Sequence, residues 1–352
     1  MKARVFYRAF RLYVRVLLRV FFREVSVTGL ERLPAKGPVI LIGNHVNGPL
    51  DPLLLLAATE RRLTLTAKVG LRAHPLLGFL LRGLEAVLFH RREGRDEAGA
   101  DANVAALDRC AEVLGEGGAV VLFPEGRSHS EARLLPFKTG AARLALRVLA
   151  AGRVPVVVPF GLVYREKARA RTDVRVTLGP AIDVEACLAA VGDADPAQAL
   201  TTAFATAVER AVAAGAFPPP APVRARELVR DALRVVDSLV LGAPLFAFGA
   251  LNHLLPAAVI ASVERRVATD LDHHAPGRFF AGMAIYPLFY ALQTAAVAVA
   301  CGPAWGALYL ALLTLTGLYA LAYADHLRSG WARLRALSSR GSRRSRALVA
   351  SS

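Results

Sequence analysis

Apolar and polar positions follow three different rhythms along these 352 residues, and each rhythm predicts a different kind of element. Residues 1–24 place Arg4, Arg8, Arg11, Arg15, Arg19 and Arg23 at spacings of three and four. At about 100° per residue this gathers them within roughly a third of a helix circumference, with Val, Phe, Tyr and Leu on the rest. Such a helix suits a lipid interface, its Arg side chains meeting head groups. The same pattern also suits a helix packed on the domain with a solvated Arg face. Arg interrupts the apolar stretch and no small-residue cleavage site follows, so the segment does not read as a signal peptide.

The second rhythm runs from Val25 to about Gly215. Short apolar runs at Val25–Val27, Val39–Ile42, Ala119–Phe123, Val154–Val158 and Val174–Leu178 predict strands. Helical patterns lie at Leu53–Thr59, Leu76–Arg82, Ala98–Gly115, Thr139–Ala151 and Pro196–Ala214. Their alternation predicts an α/β domain, a layered sheet flanked by helices. Phe217 to Pro222 is rich in proline and reads as a stiff linker.

The third rhythm is three long apolar stretches, 238–262, 279–300 and 304–325. The last two are long enough to cross a bilayer and are separated only by Cys301, Gly302 and Pro303, which predicts a transmembrane hairpin. Pro244, Asn252, His253 and Pro256 interrupt the first. Basic residues precede the hairpin at Arg265, Arg266 and Arg278 and follow it at Arg328, Arg333, Arg335, Arg340, Arg343, Arg344 and Arg346. Basic flanks favour the cytoplasmic side, so two crossings suit both ends and 238–262 is expected to be interfacial or re-entrant. The expected division is an interface helix over 1–24, a catalytic domain over 25–215, a linker and helix over 216–235, an α-helical membrane region over 236–326, and a basic cytoplasmic tail over 327–352.

Composition sharpens this picture. The net charge is +16 and the hydrophobic fraction 55%. Such a basic chain suits nucleic acid, an anionic membrane surface or an anionic substrate. No nucleic-acid motif accompanies the charge, so anionic membrane phospholipids and phosphate groups are the expected partners. Cys110, Cys187 and Cys301 are odd in number and far apart, forming neither a disulfide framework nor a zinc site. No metal site is expected.

Candidate chemistry centres on the run from Gly43 to Pro52, Gly-Asn-His-Val-Asn-Gly-Pro-Leu-Asp-Pro, directly after a buried strand. An imidazole takes a proton near neutral pH, and a carboxylate holds its ring and stabilises the imidazolium. His45 and Asp51 lie off one helix face, so they meet only if the intervening chain is a loop, which Gly48 and Pro49 favour. Asp51 and Pro52 read as an N-cap and first helical residue. A helix cap beside a polar turn residue is the plainer reading, and this run alone does not choose between the two. Two further segments, Pro124 to Ser130 and Leu135 to Gly140, occupy positions where α/β folds gather ligand-binding groups. Their Arg127 and Lys138 are suited to a phosphate, the guanidinium bidentately and the ammonium as a point charge.

These blocks resemble the membrane-associated glycerolipid acyltransferases, the superfamily of glycerol-3-phosphate and lysophosphatidate acyltransferases. The matching runs are NHVNGPLD at 44–51, LFHRR at 88–92, LFPEGRSHS at 122–130, LLPFKTG at 134–140 and VPVVVPFG at 154–161, in family order. The resemblance implies His45 as general base on an acceptor hydroxyl and Asp51 as its partner. It implies acyl-CoA or acyl-carrier protein as donor substrate, with no cofactor. Glu125, Gly126 and Arg127 match the block associated with acceptor binding, Arg91 is a further phosphate candidate, and Pro159 matches the block on the acyl-donor side. Most relatives separate the His and Asp by four residues, whereas here there are five. With Asn47, Pro52 and the later Glu-Gly-x-Ser-His run, this looks more like the subgroup acting on glycerol-3-phosphate or dihydroxyacetone phosphate. The expected function is therefore O-acyl transfer to glycerol-3-phosphate or a related acceptor at the cytoplasmic membrane, the catalytic domain facing the cytoplasm. Lysophosphatidate is the alternative acceptor. A lipid hydrolase would want a Gly-x-Ser-x-Gly elbow, which is absent. A non-enzymatic membrane adaptor would leave the His–Asp loop without a role.

Overall fold

The computed structural model describes residues 2–90, 97–131, 133–218, 225–267 and 271–349. Arg91 and most of the proline-rich linker lie outside the described residues. The chain divides into two compact units, Met1–Phe217 with Thr269–Pro276, and Pro218–Ala268 with Gly277–Ser352.

The first unit is a seven-stranded sheet: β1 (Glu24–Thr28), β2 (Val39–Gly43), β3 (Thr64–Lys68), β4 (Val87–Phe89), β5 (Ala119–Leu122), β6 (Val156–Tyr164) and β7 (Asp173–Leu178). Their spatial order is β1-β7-β6-β2-β5-β3-β4. Every pairing is parallel except β6 with β7, which is antiparallel. Parallel strands need helical crossovers and coverage on both faces, which explains why β2 and β5 are apolar at every position. Ile40, Ile42, Val120, Leu122 and Val157 pack with α4 (Glu97–Gly115), α5 (Gly140–Ala150) and α7 (Pro196–Ala214) in one core. The alternate residues Val39, Leu41, Val121 and Val158 are buried as well. Fully burying a side chain of this size contributes about 1.5–3 kcal/mol.

Between β2 and β3 lies α2 (Leu50–Ala58), whose Leu50 and Leu53–Leu56 are all buried. The N-terminal helix α1 (Lys2–Phe21) packs beside it through Tyr7, Phe10, Val14 and Leu18. The Arg stripe of α1 is divided in its use. Arg11 donates to the Thr59 carbonyl at 2.8 Å and Arg15 to that of Ala57 at 2.9 Å, satisfying carbonyls at the C-terminal end of α2, while Arg4, Arg8 and Arg19 stay exposed. Arg61, just beyond α2, gathers four backbone carbonyls from two turns: those of Pro34 and Gly37, and those of Gly117 and Gly118 at 3.1 and 3.0 Å.

The remaining helices of this unit are α3 (Pro75–Gly83) and α6 (Val184–Ala189), the latter capped by Asp183. Strands β3 and β4 and helix α6 have no counterpart in the sequence reading. Strand β6 runs through Pro159 to Tyr164, well past the expected end at Val158.

The second unit takes in α8 (Ala225–Val267), α9 (Leu271–Cys301) from Gly277 onward, and α10 (Pro303–Val349). Among the described residues, three helical segments, Gly242–Arg266, His274–Cys301 and Pro303–Arg328, are long and apolar enough to cross a bilayer. The segment expected to be interfacial or re-entrant is helical throughout, with Pro244 and Pro256 inside it. Its polar residues are satisfied by neighbouring helices. His253 Nε2 meets Tyr290 Oη at 2.8 Å, and Tyr309 donates to Asn252 Oδ1 at 2.6 Å. Gly249 lies against the Thr316 backbone, where a Cβ would stand 2.4 Å from the carbonyl oxygen, the small-residue contact typical of apolar bundles.

Candidate active site

Strand order decides what meets at the site. β6, β2 and β5 are neighbours running in the same direction, so the chain leaving each of them emerges at one edge of the sheet. That edge is where open α/β sheets bind ligands. It collects the loop 44–49 after β2, the loop 123–131 after β5, and Tyr164 at the end of β6.

The first loop is pinned at its start. Asn44 Nδ2 donates to the Leu162 carbonyl at 2.9 Å and its Oδ1 accepts the Leu162 N–H at 2.7 Å, copying a strand pairing with a side chain. Gly48 turns the chain with φ 49°. The Leu50 and Asp51 N–H groups then bond to the Asn47 and Gly48 carbonyls, both at 3.2 Å. These turn bonds start α2 at Leu50, so Asp51 is its second residue and not the expected N-cap. Pro52 still fits, because the first turn of a helix leaves its N–H groups without intrahelical partners.

The early start points the Asp51 carboxylate back into the loop, where it is fully buried. It accepts three hydrogen bonds. His45 Nδ1 and the Asn47 N–H each reach Oδ2 at 2.8 Å, and Tyr164 Oη reaches Oδ1 at 2.6 Å. Because an ionised carboxylate only accepts, His45 carries its proton on Nδ1 and presents the lone pair on Nε2. The imidazole stacks on Phe123 with centroids 4.2 Å apart and planes at 23°. Phe123 in turn meets Phe160 edge-on, and Phe160 fills the space where a Cβ on Gly43 would stand. Burial first, then the charge of Asp51, hold the Tyr164 phenol well above its ordinary range, so it remains a hydrogen-bond donor.

The second loop is stitched to the first by Glu125. One carboxylate oxygen accepts the His45 N–H at 2.8 Å; the other accepts the Leu135 N–H at 2.9 Å and pairs with His129 Nε2. The His129 N–H returns a bond to the His45 carbonyl at 3.1 Å. Glu125 was expected at the acceptor, yet its side chain is fully buried and both oxygens are engaged by protein donors. Gly126 turns with φ 74°, and Lys138 lies across it so closely that a Cβ would stand 2.7 Å from Nζ. Arg127 is exposed at the tip of this loop, and Lys138 is exposed just before α5. Pro159 is buried inside the sheet in register with Ile42, one residue before the Phe160 that meets Phe123. Arg91 falls outside the described residues.

Two contributors escaped the sequence reading. Tyr164 is 113 positions from Asp51 and has no motif around it beyond being a polar-tipped aromatic at the end of an apolar strand. Lys167 donates to the Val46 carbonyl at 3.2 Å, the His129 carbonyl at 2.9 Å and Ser130 Oγ at 2.8 Å, binding both loops to the β6–β7 turn. Among the described residues, no group of three or more His, Cys, Asp or Glu side chains is placed to hold a metal ion.

Fold and site together define an α/β protein with an imidazole–carboxylate pair at the carboxyl ends of its central strands. Residues 24–163 match the family model described as Acyltransferase. The chain is 28% identical over 137 residues to a 1-acyl-sn-glycerol-3-phosphate acyltransferase of Borreliella burgdorferi, covering 39% of this chain and 52% of that protein. It is 31% identical over 143 residues to a chloroplast protein of the same description from Arabidopsis thaliana, covering 40% of this chain and 36% of that one. The chain thus spans about half or less of the length of these relatives. The crystal structure of the 1-acyl-sn-glycerophosphate acyltransferase PlsC from Thermotoga maritima aligns with a TM-score of 0.44 at 21% identity, over 59% of this chain and 79% of that chain.

Proposed function

We propose that the protein is an O-acyltransferase that moves a fatty acyl group from an acyl thioester, acyl-CoA or acyl-carrier protein, to the hydroxyl of a glycerol-phosphate acceptor. The observation that carries this reading is the His45–Asp51 pair, with Nδ1 held by the carboxylate at 2.8 Å. His45 Nε2 takes the hydroxyl proton as the acceptor oxygen attacks the thioester carbonyl. The tetrahedral intermediate then collapses with cleavage of the C–S bond, and the proton passes from Nε2 to the departing thiolate. Asp51 and the face of Phe123 stabilise the imidazolium formed between these steps. No acyl-enzyme is needed, because the acceptor is the nucleophile. Arg127 and Lys138 receive the acceptor phosphate. The exposed Val5, Leu12 and Val16 of α1, interspersed with Arg4, Arg8 and Arg19, meet an anionic bilayer, and the apolar helices of the second unit anchor the chain at the cytoplasmic membrane.

Glycerol-3-phosphate is the acceptor favoured by the five-residue interval between His45 and Asp51. Lysophosphatidate is a second reading, favoured by the descriptions of the relatives. An assay in detergent or vesicles with either thioester and each acceptor tests both. His45→Ala is expected to lower the rate by about 10²–10⁴, the usual contribution of a general base. A folded His45→Ala protein with full activity would sink the mechanism.

A further inference from the structure

We propose that Tyr164 is a positioning residue of the His45–Asp51 pair, fixing the Asp51 carboxylate and drawing part of its charge away from the imidazole. This rests on the reading of His45 as general base. Asp51 is fully buried, and its three donors differ in kind. The His45 ring and the Asn47 N–H share Oδ2, and both belong to the loop that Asp51 itself closes. Among the described residues, Tyr164 alone binds Oδ1, at 2.6 Å, and it comes from a different strand. Without it, the carboxylate is held only by its own loop and is free to turn about the Cβ–Cγ bond.

The placement of Tyr164 is itself fixed. Leu162, two residues earlier, is clamped by both side-chain atoms of Asn44. Val163 and Tyr164 pair with Arg175 and Val174 of β7, and Lys167 ties the following turn to both catalytic loops. The Tyr164 ring also packs against Phe22, centroids 6.0 Å apart. The matched family segment ends at residue 163, so this hydroxyl stands immediately beyond it.

A carboxylate that loses one of three donors presents more charge to the two that remain. Tyr164→Phe therefore strengthens the pull of Asp51 on the His45 ring proton while loosening the geometry. Other ionisable groups around the pair are Glu125 and His129 on the second loop and Lys167 on the β6–β7 turn. Each bonds backbone or another side chain and not the Asp51 carboxylate, and each is unchanged in this variant.

The test uses the full chain in detergent, labelled with ¹⁵N-histidine, as wild type, Tyr164→Phe, and a protein carrying 3-fluorotyrosine at position 164. The readouts are the Nδ1–H proton resonance of His45, assigned with His45→Gln, and steady-state kinetics across pH. In Tyr164→Phe the resonance should move downfield, kcat should fall about ten- to a hundredfold with both KM values nearly unchanged, and the acid limb of the rate profile should move to higher pH. Fluorotyrosine, a stronger donor with the same packing, should move the resonance upfield and keeps the test open if the Phe variant misfolds. An unmoved resonance in both variants, or loss of rate with an unmoved acid limb, overturns the proposal. If the resonances move as stated while the wild type transfers no acyl group to any acceptor, the positioning role stands and the functional reading falls.

Discussion

The Glu125 carboxylate accepts the backbone N–H of His45 at 2.8 Å, so the proposed general base is held from behind by the loop that follows another strand. Its other oxygen serves the Leu135 N–H and pairs with His129. Glu125→Gln turns an amide donor toward at least one of these groups. We expect a loss of about 1–3 kcal/mol in stability, the usual penalty for an unmatched buried polar group, together with a fall in kcat. Thermal melting and kinetics on one preparation check this. A raised acceptor KM with unchanged melting would instead return Glu125 to acceptor binding.

Arg127 and Lys138 are exposed on the loop side of the pair and so can reach a phosphate without desolvation. Arg127→Ala should raise the acceptor KM about tenfold or more, as expected for losing a hydrogen bond to a charged group, and leave the thioester KM unchanged. Competition between phosphate-bearing and uncharged acceptors reads the assignment directly. Equal losses for the two would remove it.

Arg61 closes the end of the sheet opposite the site by binding carbonyls of Pro34, Gly37, Gly117 and Gly118. Burial lowers its guanidinium from the ordinary value, a sign of how far it is withdrawn from water. Arg61→Ala leaves several carbonyls unmatched and should cost about 2–4 kcal/mol in stability, measured by denaturation in detergent. Arg61→Lys should recover only part, because one ammonium cannot span four acceptors.

Asp173 lies between Arg23, at 2.7 Å, and Arg165, at 3.0 Å. Burial pushes its carboxyl up, but the hydrogen bonds and charges of Arg23 and Arg165 outweigh this and hold it below the ordinary value of 3.8. A depressed carboxyl contributes stability that is complete above its unfolded value and is lost as pH falls through the folded one. The melting advantage of wild type over Asp173→Asn should therefore be constant from neutrality to about pH 5 and shrink below about pH 4. A constant advantage down to pH 3 would contradict the pairing.

The central strands and the His–Asp loop were legible because their information is local. Val39–Gly43 and Ala119–Leu122 are buried on both faces and so are apolar throughout, and the turn between His45 and Asp51 is written in consecutive residues. Strand β3 escaped because Thr64, Thr66 and Lys68 interrupt it, and β4 because three residues carry no readable period. Asp51 looked like a cap because Asp-Pro favours that position; turn bonds from Asn47 and Gly48 moved the helix start forward. Glu125, Tyr164 and Arg61 took roles that depend on which strands are neighbours, and pairing across 24 to 113 positions leaves no trace in local sequence.

Removing residues 1–23 would be a natural way to make the first unit easier to handle. Arg11 and Arg15 make that removal expensive, since the carbonyls they satisfy, those of Thr59 and Ala57, close the helix whose second residue is Asp51. Trimming α1 would fray the far end of that short helix and, through nine residues of leucine-rich backbone, unsettle the carboxylate at its near end. A truncated protein that stays soluble but inactive would thus report on a missing brace and not on a missing membrane.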